Sequence, residues 1–185
     1  TTALDVTIQA QIVALLKRLQ AELEGATVVA RRLGRPVHAF QQAPAGGPGR
    51  GPFGIEPDGG VEIREGDVVL FHSGWLNLLD GSEEDRERYV SVEPGLGKTG
   101  AEYLIEKGVV AIGADTWGLE VVPFEEGVGV FEVHQMLLAK NGIYILENMD
   151  TRDLLADGVN KVMYVLGAAR VRGAVQMIIN PVAIR

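Results

Sequence analysis

The sequence predicts an α/β fold: one domain built of parallel βαβ units and closed by a C-terminal β-hairpin. Three observations predict it. Asp67–His72 and Val109–Gly113 are short apolar runs without alternation, as strands buried on both faces require. Segments with helical periodicity stand between the strands, so strand and helix alternate along the chain. Near the end, Lys161–Arg172 and Val175–Ile184 alternate around Gly173, the pattern of a hairpin.

The elements follow in order. Residues 1–25 read as an amphipathic helix, because Leu4, Ile8, Ile12, Leu15, Leu16, Leu19 and Leu23 recur at spacings of three and four. Thr2 with Asp5 gives it a capping-box-like start and Gly25 a stop. Its Leu/Ile stripe is expected to pack on a sheet or on another subunit. Ala26–Ala30 fits a short strand. Residues 34–60 carry the run Ala43-Pro-Ala-Gly-Gly-Pro-Gly-Arg-Gly-Pro52 and keep no periodicity. They read as a loop, either a functional lid or poorly ordered, that contains His38 and Arg50. From Val61 the pattern tightens. The strand Asp67–His72 ends abruptly at His72-Ser73-Gly74-Trp75. Asp80–Arg88 is acidic and reads as a solvated face. Pro94–Lys107 reads as a helix with Ala101, Leu104 and Ile105 inward and Gly108 as its stop. Val109–Gly113 is the next strand and leads into Asp115-Thr116-Trp117.

Composition narrows the class. The chain has 185 residues, 46% hydrophobic and 23% charged, which suits a soluble globular protein with a proper core. No apolar run is long enough to span a membrane. A formal net charge of -8 argues against nucleic acid and anionic membranes as partners. With no cysteine, thiolate nucleophiles, disulfides and Cys-based zinc sites are excluded. The chain opens at Thr1 without an initiator Met or a signal-peptide pattern, so it reads as a cytoplasmic protein whose start is trimmed or processed.

The run from His134 to Glu147 carries the chemistry. Residues 134–141 read as a short helix, with Lys140 in the last turn and Gly142 at the left-handed position after it. Ile143–Leu146 then read as a buried strand. A helix of about eight residues rises roughly 12 Å, and four or five strand residues return roughly 13–17 Å. His134 and Glu147 therefore arrive at one edge of the sheet, where an imidazole and a carboxylate make half of a divalent-metal site. Ligands of open α/β sheets bind outside the carboxyl ends of the strands. Those ends also carry His72, Trp75, Asp115 and Trp117, which are expected to line a substrate pocket.

Other constellations fail. The serines are Ser73, Ser82 and Ser91, and none lies in a Gly-x-Ser-x-Gly elbow. Gly95-Leu-Gly-Lys-Thr99 lacks the first glycine of a phosphate-binding loop, since position 92 is Val92.

Several separate stretches resemble the cyclase family, which includes bacterial kynurenine formamidase and isatin hydrolase. They are Gly66-Asp-Val-Val-Leu-Phe-His-Ser-Gly-Trp75, Pro94-Gly-Leu96, Gly113-Ala-Asp-Thr-Trp117 with Glu120-Val-Val-Pro123, His134-Gln-x-Leu-Leu138, Gly142-Ile-Tyr-Ile-Leu-Glu-Asn148 and Asn180-Pro-Val-Ala-Ile-Arg185. The likeness covers residues 61–185. It implies a swivelling β/β/α-type fold, a homo-oligomer (dimer or tetramer), and hydrolysis of an amide, ester or cyclic amide in a small carbonyl substrate. It also implies Mn²⁺ or Zn²⁺ as cofactor, with His134 and Glu147 matching two of the family's metal ligands. One departure matters. The family's upstream motif, His-x-Gly-Thr-His-x-Asp-x-Pro-x-His, holds its other ligands and its catalytic histidine, and it is absent here. Three explanations stand open: a missing N-terminal piece, ligands from a partner chain, or a catalytically degenerate relative that binds or scaffolds. No catalytic residue is assigned.

Overall fold

A computed structural model describes residues 63–159, 161–167 and 171–184, together with the backbone of strand β1, Val28–Arg32. The expected helix over 1–25 and loop over 34–60 lie outside the described residues. The strand expected at Ala26–Ala30 runs over Val28–Arg32. It joins β2 (Val68–His72), β3 (Ala111–Ala114) and β4 (Tyr144–Leu146) in a four-stranded sheet of order β1-β2-β3-β4, parallel throughout.

Alternate residues of β2 face two apolar layers. Val69 and Phe71 pack with Leu104, Ile112 and Leu137 on one face. Val68 and Leu70 pack with Leu146, Met149 and Val162 on the other. This two-sided burial is why β2 and β3 read as continuous apolar runs. Gly113 makes the layer fit, because a Cβ there would lie 2.6 Å from Leu70 Cδ2.

After β2 the chain makes a 3₁₀ turn, Trp75–Asp80, and then helix α1, Glu83–Ser91. The acidic stretch expected to be a solvated face thus forms most of a helix. Ser82 and Asp85 build a reciprocal capping box at its start. Tyr89 alone in it is buried.

Helix α2 spans Lys98–Glu106, shorter than the expected Pro94–Lys107. Residues 93–97 are extended instead, because their backbone pairs with 119–122. Glu93 and Val122 exchange N–H···O bonds of 2.9 and 3.0 Å, and the Leu96 N–H donates to the Leu119 carbonyl at 2.7 Å. Gly95 permits this approach. A Cβ at that position would lie 2.3 Å from the carbonyl carbon of Glu120.

The helix expected over 134–141 begins two residues early. Helix α3 is Glu132–His134, and it widens into a π-helix over Gln135–Lys140. Phe131, at φ 50°, takes the left-handed conformation that starts it. Asn141 Nδ2 donates to the Met136 carbonyl at 2.7 Å, meeting an acceptor in the widened turn. Gly142 has φ 66°, as its place after the helix requires.

Helix α4 (Arg152–Ala156) follows β4, and a short antiparallel pair, β5 (Met163–Val165) with β6 (Val182–Ile184), ends the fold. The hairpin is much shorter than its alternating sequence suggests. The turn at Gly173 exists, with φ 80°, but it lies in an arm between the strands. No helix among the described residues is long and apolar enough to cross a membrane.

Candidate metal-binding site

The sheet's carboxyl edge gathers the polar groups. Glu147 follows β4, and His134 closes the first turn of α3. The two side chains meet, with His134 Nε2 lying 3.4 Å from Glu147 Oε1.

A third residue fixes that meeting. Glu120 is 1% exposed, and its Oε1 accepts the Val133 N–H at 3.0 Å. Its Oε2 accepts the His134 N–H at 3.1 Å and faces His134 Nδ1 at 2.6 Å. The carboxylate therefore caps the open amides of α3 and orients the imidazole at once. With Nδ1–H given to Glu120, the neutral ring presents its Nε2 lone pair outward, toward Glu147. Burial alone would lower the His134 pKa. The hydrogen bonds to Glu120 and Glu147, with their charges, overcome it and raise it to about 9.

Leu119 delivers Glu120. It is a bulky residue at φ 60°, a conformation costing about 1–2 kcal/mol. Its own burial and the Leu96–Leu119 hydrogen bond hold it there.

Glu147 Oε2 accepts Gln176 Nε2–H at 2.7 Å, so each oxygen of Glu147 has its own partner. Phe131 packs its ring edge-on against the imidazole, centroids 5.0 Å apart. Glu93 is the second buried acid. It is 2% exposed, its Oε2 accepts the Gly118 N–H at 3.1 Å, and its Oε1 is buried with no hydrogen-bond partner among the described residues. Burial pushes its pKa up to about 7, against the pull of the Gly118 and Trp117 amides. The Glu147 charge adds to the rise, and His134 opposes it. Tyr89 is pushed up to about 12 by burial and by the charges of Glu93, Asp115 and Glu147. Its hydroxyl donates to Asn148 Oδ1, and Asn148 sits in the left-handed region at φ 53°.

The other expected residues are placed as follows. Asp115 is 1% exposed and ties down the end of β2: Oδ1 accepts the Ser73 N–H and hydroxyl and Oδ2 the Gly74 N–H, each at 2.7 Å. His72 Nδ1 lies 2.9 Å from Thr151 Oγ1 and 3.7 Å from Asp115 Oδ2. His72 lines an open cleft of about 540 Å³ with Ser73, Gly74, Asn77 and Arg152. Trp75 is buried, its Nε1–H donating to the Tyr89 carbonyl at 3.3 Å under the Arg88 guanidinium. Trp117 is half-buried, and its Nε1 has no hydrogen-bond partner among the described residues. None of these four is hydrogen-bonded or ion-paired to His134 or Glu147 among the described residues.

Sequence reasoning missed Glu120, Glu93 and Gln176 as site residues. A signal existed for the first. Glu120 is the lone charge in the stretch from Thr116 to Phe124, and a lone charge in an apolar run is buried only with partners.

The donor set fits two corners of a metal site. An Nε2–Oε1 separation of 3.4 Å is about the edge of a tetrahedron whose metal–ligand bonds are roughly 2.0–2.1 Å. A ligating histidine that gives its other ring N–H to a carboxylate is the usual supporting arrangement. Among the described residues no group of three or more His, Asp or Glu converges to complete the cage.

Comparison with known proteins accords with the fold. Residues 54–121 match the family described as "Putative cyclase". No curated protein matches the chain. A crystal structure of a novel cyclase superposes with TM-score 0.64 at 21% identity, covering 86% of this chain and 53% of that one. A potential metal-dependent hydrolase with cyclase activity gives TM-score 0.53 at 19% identity, covering 80% and 59%. Isatin hydrolase A from Labrenzia aggregata, bound to benzyl benzoate, gives TM-score 0.51 at 19% identity, covering 80% and 55%. The chain spans little more than half the length of these structures. It has the mixed α/β fold of these structures, and its residues 54–121 match the cyclase family model.

Proposed function

We propose that this protein acts in the metal-dependent hydrolysis of an amide, ester or cyclic-amide bond in a small carbonyl substrate, with His134 and Glu147 as two ligands of Mn²⁺ or Zn²⁺. One observation carries the reading. A buried carboxylate, Glu120, holds His134 Nδ1 at 2.6 Å and so aims Nε2 at Glu147. That arrangement spends a buried charge on orienting one imidazole, and imidazole with carboxylate suits these cations. A bound cation would supply Lewis acidity to the carbonyl and acidify a water. Glu120 would keep the His134 ring fixed through turnover, and Phe131 would shield its edge from solvent. The remaining ligands would come from residues outside those described, or from a second polypeptide. The reading is tested by metal content of the purified protein, with hydrolysis of N-formyl aromatic amines and isatin-like lactams. Metal and turnover that both vanish in His134→Ala support it, and turnover unchanged in that variant refutes it.

The shortage of ligands favours a second reading, a relative that keeps the fold and binds or scaffolds without catalysis. It predicts neither metal uptake nor hydrolysis by the wild-type chain. A homo-oligomer, dimer or tetramer, belongs to either reading. Edge strand β4 exposes Tyr144 beside exposed Val110 and Leu138, an apolar surface suited to a second copy. Light scattering decides it.

A further inference from the structure

The arm between β5 and β6 reaches the candidate site through the Gln176 side chain. It turns at Gly173, where the Ala174 N–H donates to the Val171 carbonyl at 3.2 Å, and it regains the core only at Ile179. Val175 and Ile178 are fully exposed and only Met177 between them is partly buried, so apolar packing holds the intervening stretch weakly. Among the described residues, the one hydrogen bond from 171–178 to the rest of the chain is Gln176 Nε2–H to Glu147 Oε2, at 2.7 Å. That bond takes the oxygen of Glu147 that His134 does not face.

We infer that Gln176 is a positioning residue for Glu147 and that it latches the 171–179 arm onto the site. The chemistry is specific. A carboxylate whose far oxygen accepts an N–H rotates less freely, and its near oxygen is held toward His134 Nε2 while the arm is docked. Removing the donor costs rotational order at Glu147 and, among the described residues, the arm's one polar anchor together. Coupling of this kind is reciprocal: whatever orders Glu147, a cation included, also holds the arm down. The cation half of the inference rests on the proposed function, and the latch half does not.

The experiment is hydrogen exchange followed by mass spectrometry across 171–179, on the full chain with and without Zn²⁺, alongside Zn²⁺ titration. Wild type is compared with Gln176→Ala. The Ala174 amide, the one hydrogen-bonded backbone N–H of 171–178 among the described residues, should exchange roughly tenfold faster in the variant, as loss of a hydrogen bond to a charged group allows. The variant should bind Zn²⁺ roughly tenfold more weakly, the scale of lost ligand support. Its thermal midpoint should fall by no more than a few degrees, the scale of one lost hydrogen bond in a chain of this size, because Val175 and Ile178 bury nothing there. Zn²⁺ should slow arm exchange in the wild type and not in the variant. Arm exchange within twofold of wild type overturns the latch, and unchanged Zn²⁺ affinity overturns the positioning role. If the wild type takes up no Zn²⁺, the proposed function fails, and metal-free exchange alone decides the latch: faster exchange in Gln176→Ala supports it, and equal exchange overturns it.

Discussion

Glu120 holds His134 at two points, accepting its backbone N–H at 3.1 Å and facing its ring Nδ1 at 2.6 Å through one oxygen. The same carboxylate takes the Val133 N–H with its other oxygen. One buried charge thus starts a helix and aims an imidazole. Glu120→Ala leaves three N–H groups without their acceptor in a buried place, so it should cost about 1–3 kcal/mol in urea denaturation. Glu120→Gln keeps the shape but gives Nδ1–H a weaker, neutral partner. It should lower Zn²⁺ affinity by roughly 10–100-fold in a competition titration. Equal affinity in both proteins would show that His134 needs no such support.

The metal-free His134 should be protonated at neutral pH. Burial lowers its pKa, but the hydrogen bonds to Glu120 and Glu147 prevail and bring it to about 9. The sign for stability follows. The folded value lies above the unfolded one of about 6.5, so this contribution is fully present below pH ~6.5 and is lost as pH rises through ~9. A cation must displace that proton, so apparent affinity should climb about tenfold per pH unit below ~9. Proton NMR of the His134 ring in metal-free protein checks the value. A titration near pH 6.5 would contradict it.

Glu93 behaves in the opposite sense. Burial raises its pKa to about 7, and its Oε1 has no hydrogen-bond partner among the described residues. Ionising it therefore costs stability. Its contribution is present below the unfolded value of about 4.3 and is lost as pH rises through ~7. Glu93→Gln should flatten that loss and gain about 1–3 kcal/mol over the wild type at pH 8 relative to pH 5. Parallel stability–pH curves for the two proteins would sink this reading.

Gly95 should tolerate nothing larger. An added Cβ would meet the backbone of Glu120 at 2.3 Å, and backbone cannot step aside as a flexible side chain can. Gly95→Ala should cost about 3 kcal/mol or more by displacing the 93–97 segment from 119–122. Because Glu120 moves with that segment, Zn²⁺ affinity should fall as well. A variant with wild-type stability would refute the close approach.

Much of this was legible in the sequence, and the failures share a cause. The parallel sheet was readable because β2 and β3 bury both faces and so carry unbroken apolar runs. The meeting of His134 and Glu147 followed from the rise of a short helix and the return of a strand, which are local quantities. What escaped depended on distant partners. The start of α2 moved from Pro94 to Lys98 because 93–97 pairs with residues more than twenty positions on. α3 began early because Phe131 adopts a left-handed conformation that its residue type disfavours. The hairpin pairs only three residues of each strand, Met163–Val165 with Val182–Ile184, and Gln176 between them reaches Glu147 instead. The acidic stretch 80–88 is exposed as expected, and it is carried on α1, whose start Ser82 caps with Asp85.

The central claim is that His134 and Glu147 share a divalent cation, and Zn²⁺ titration of the wild type against Glu147→Gln and His134→Ala tests it most directly. One equivalent of Zn²⁺ per wild-type chain, weakened at least about tenfold in each variant by the loss of one ligand, is the predicted result. Binding of equal strength in all three proteins, or none in the wild type, would contradict it.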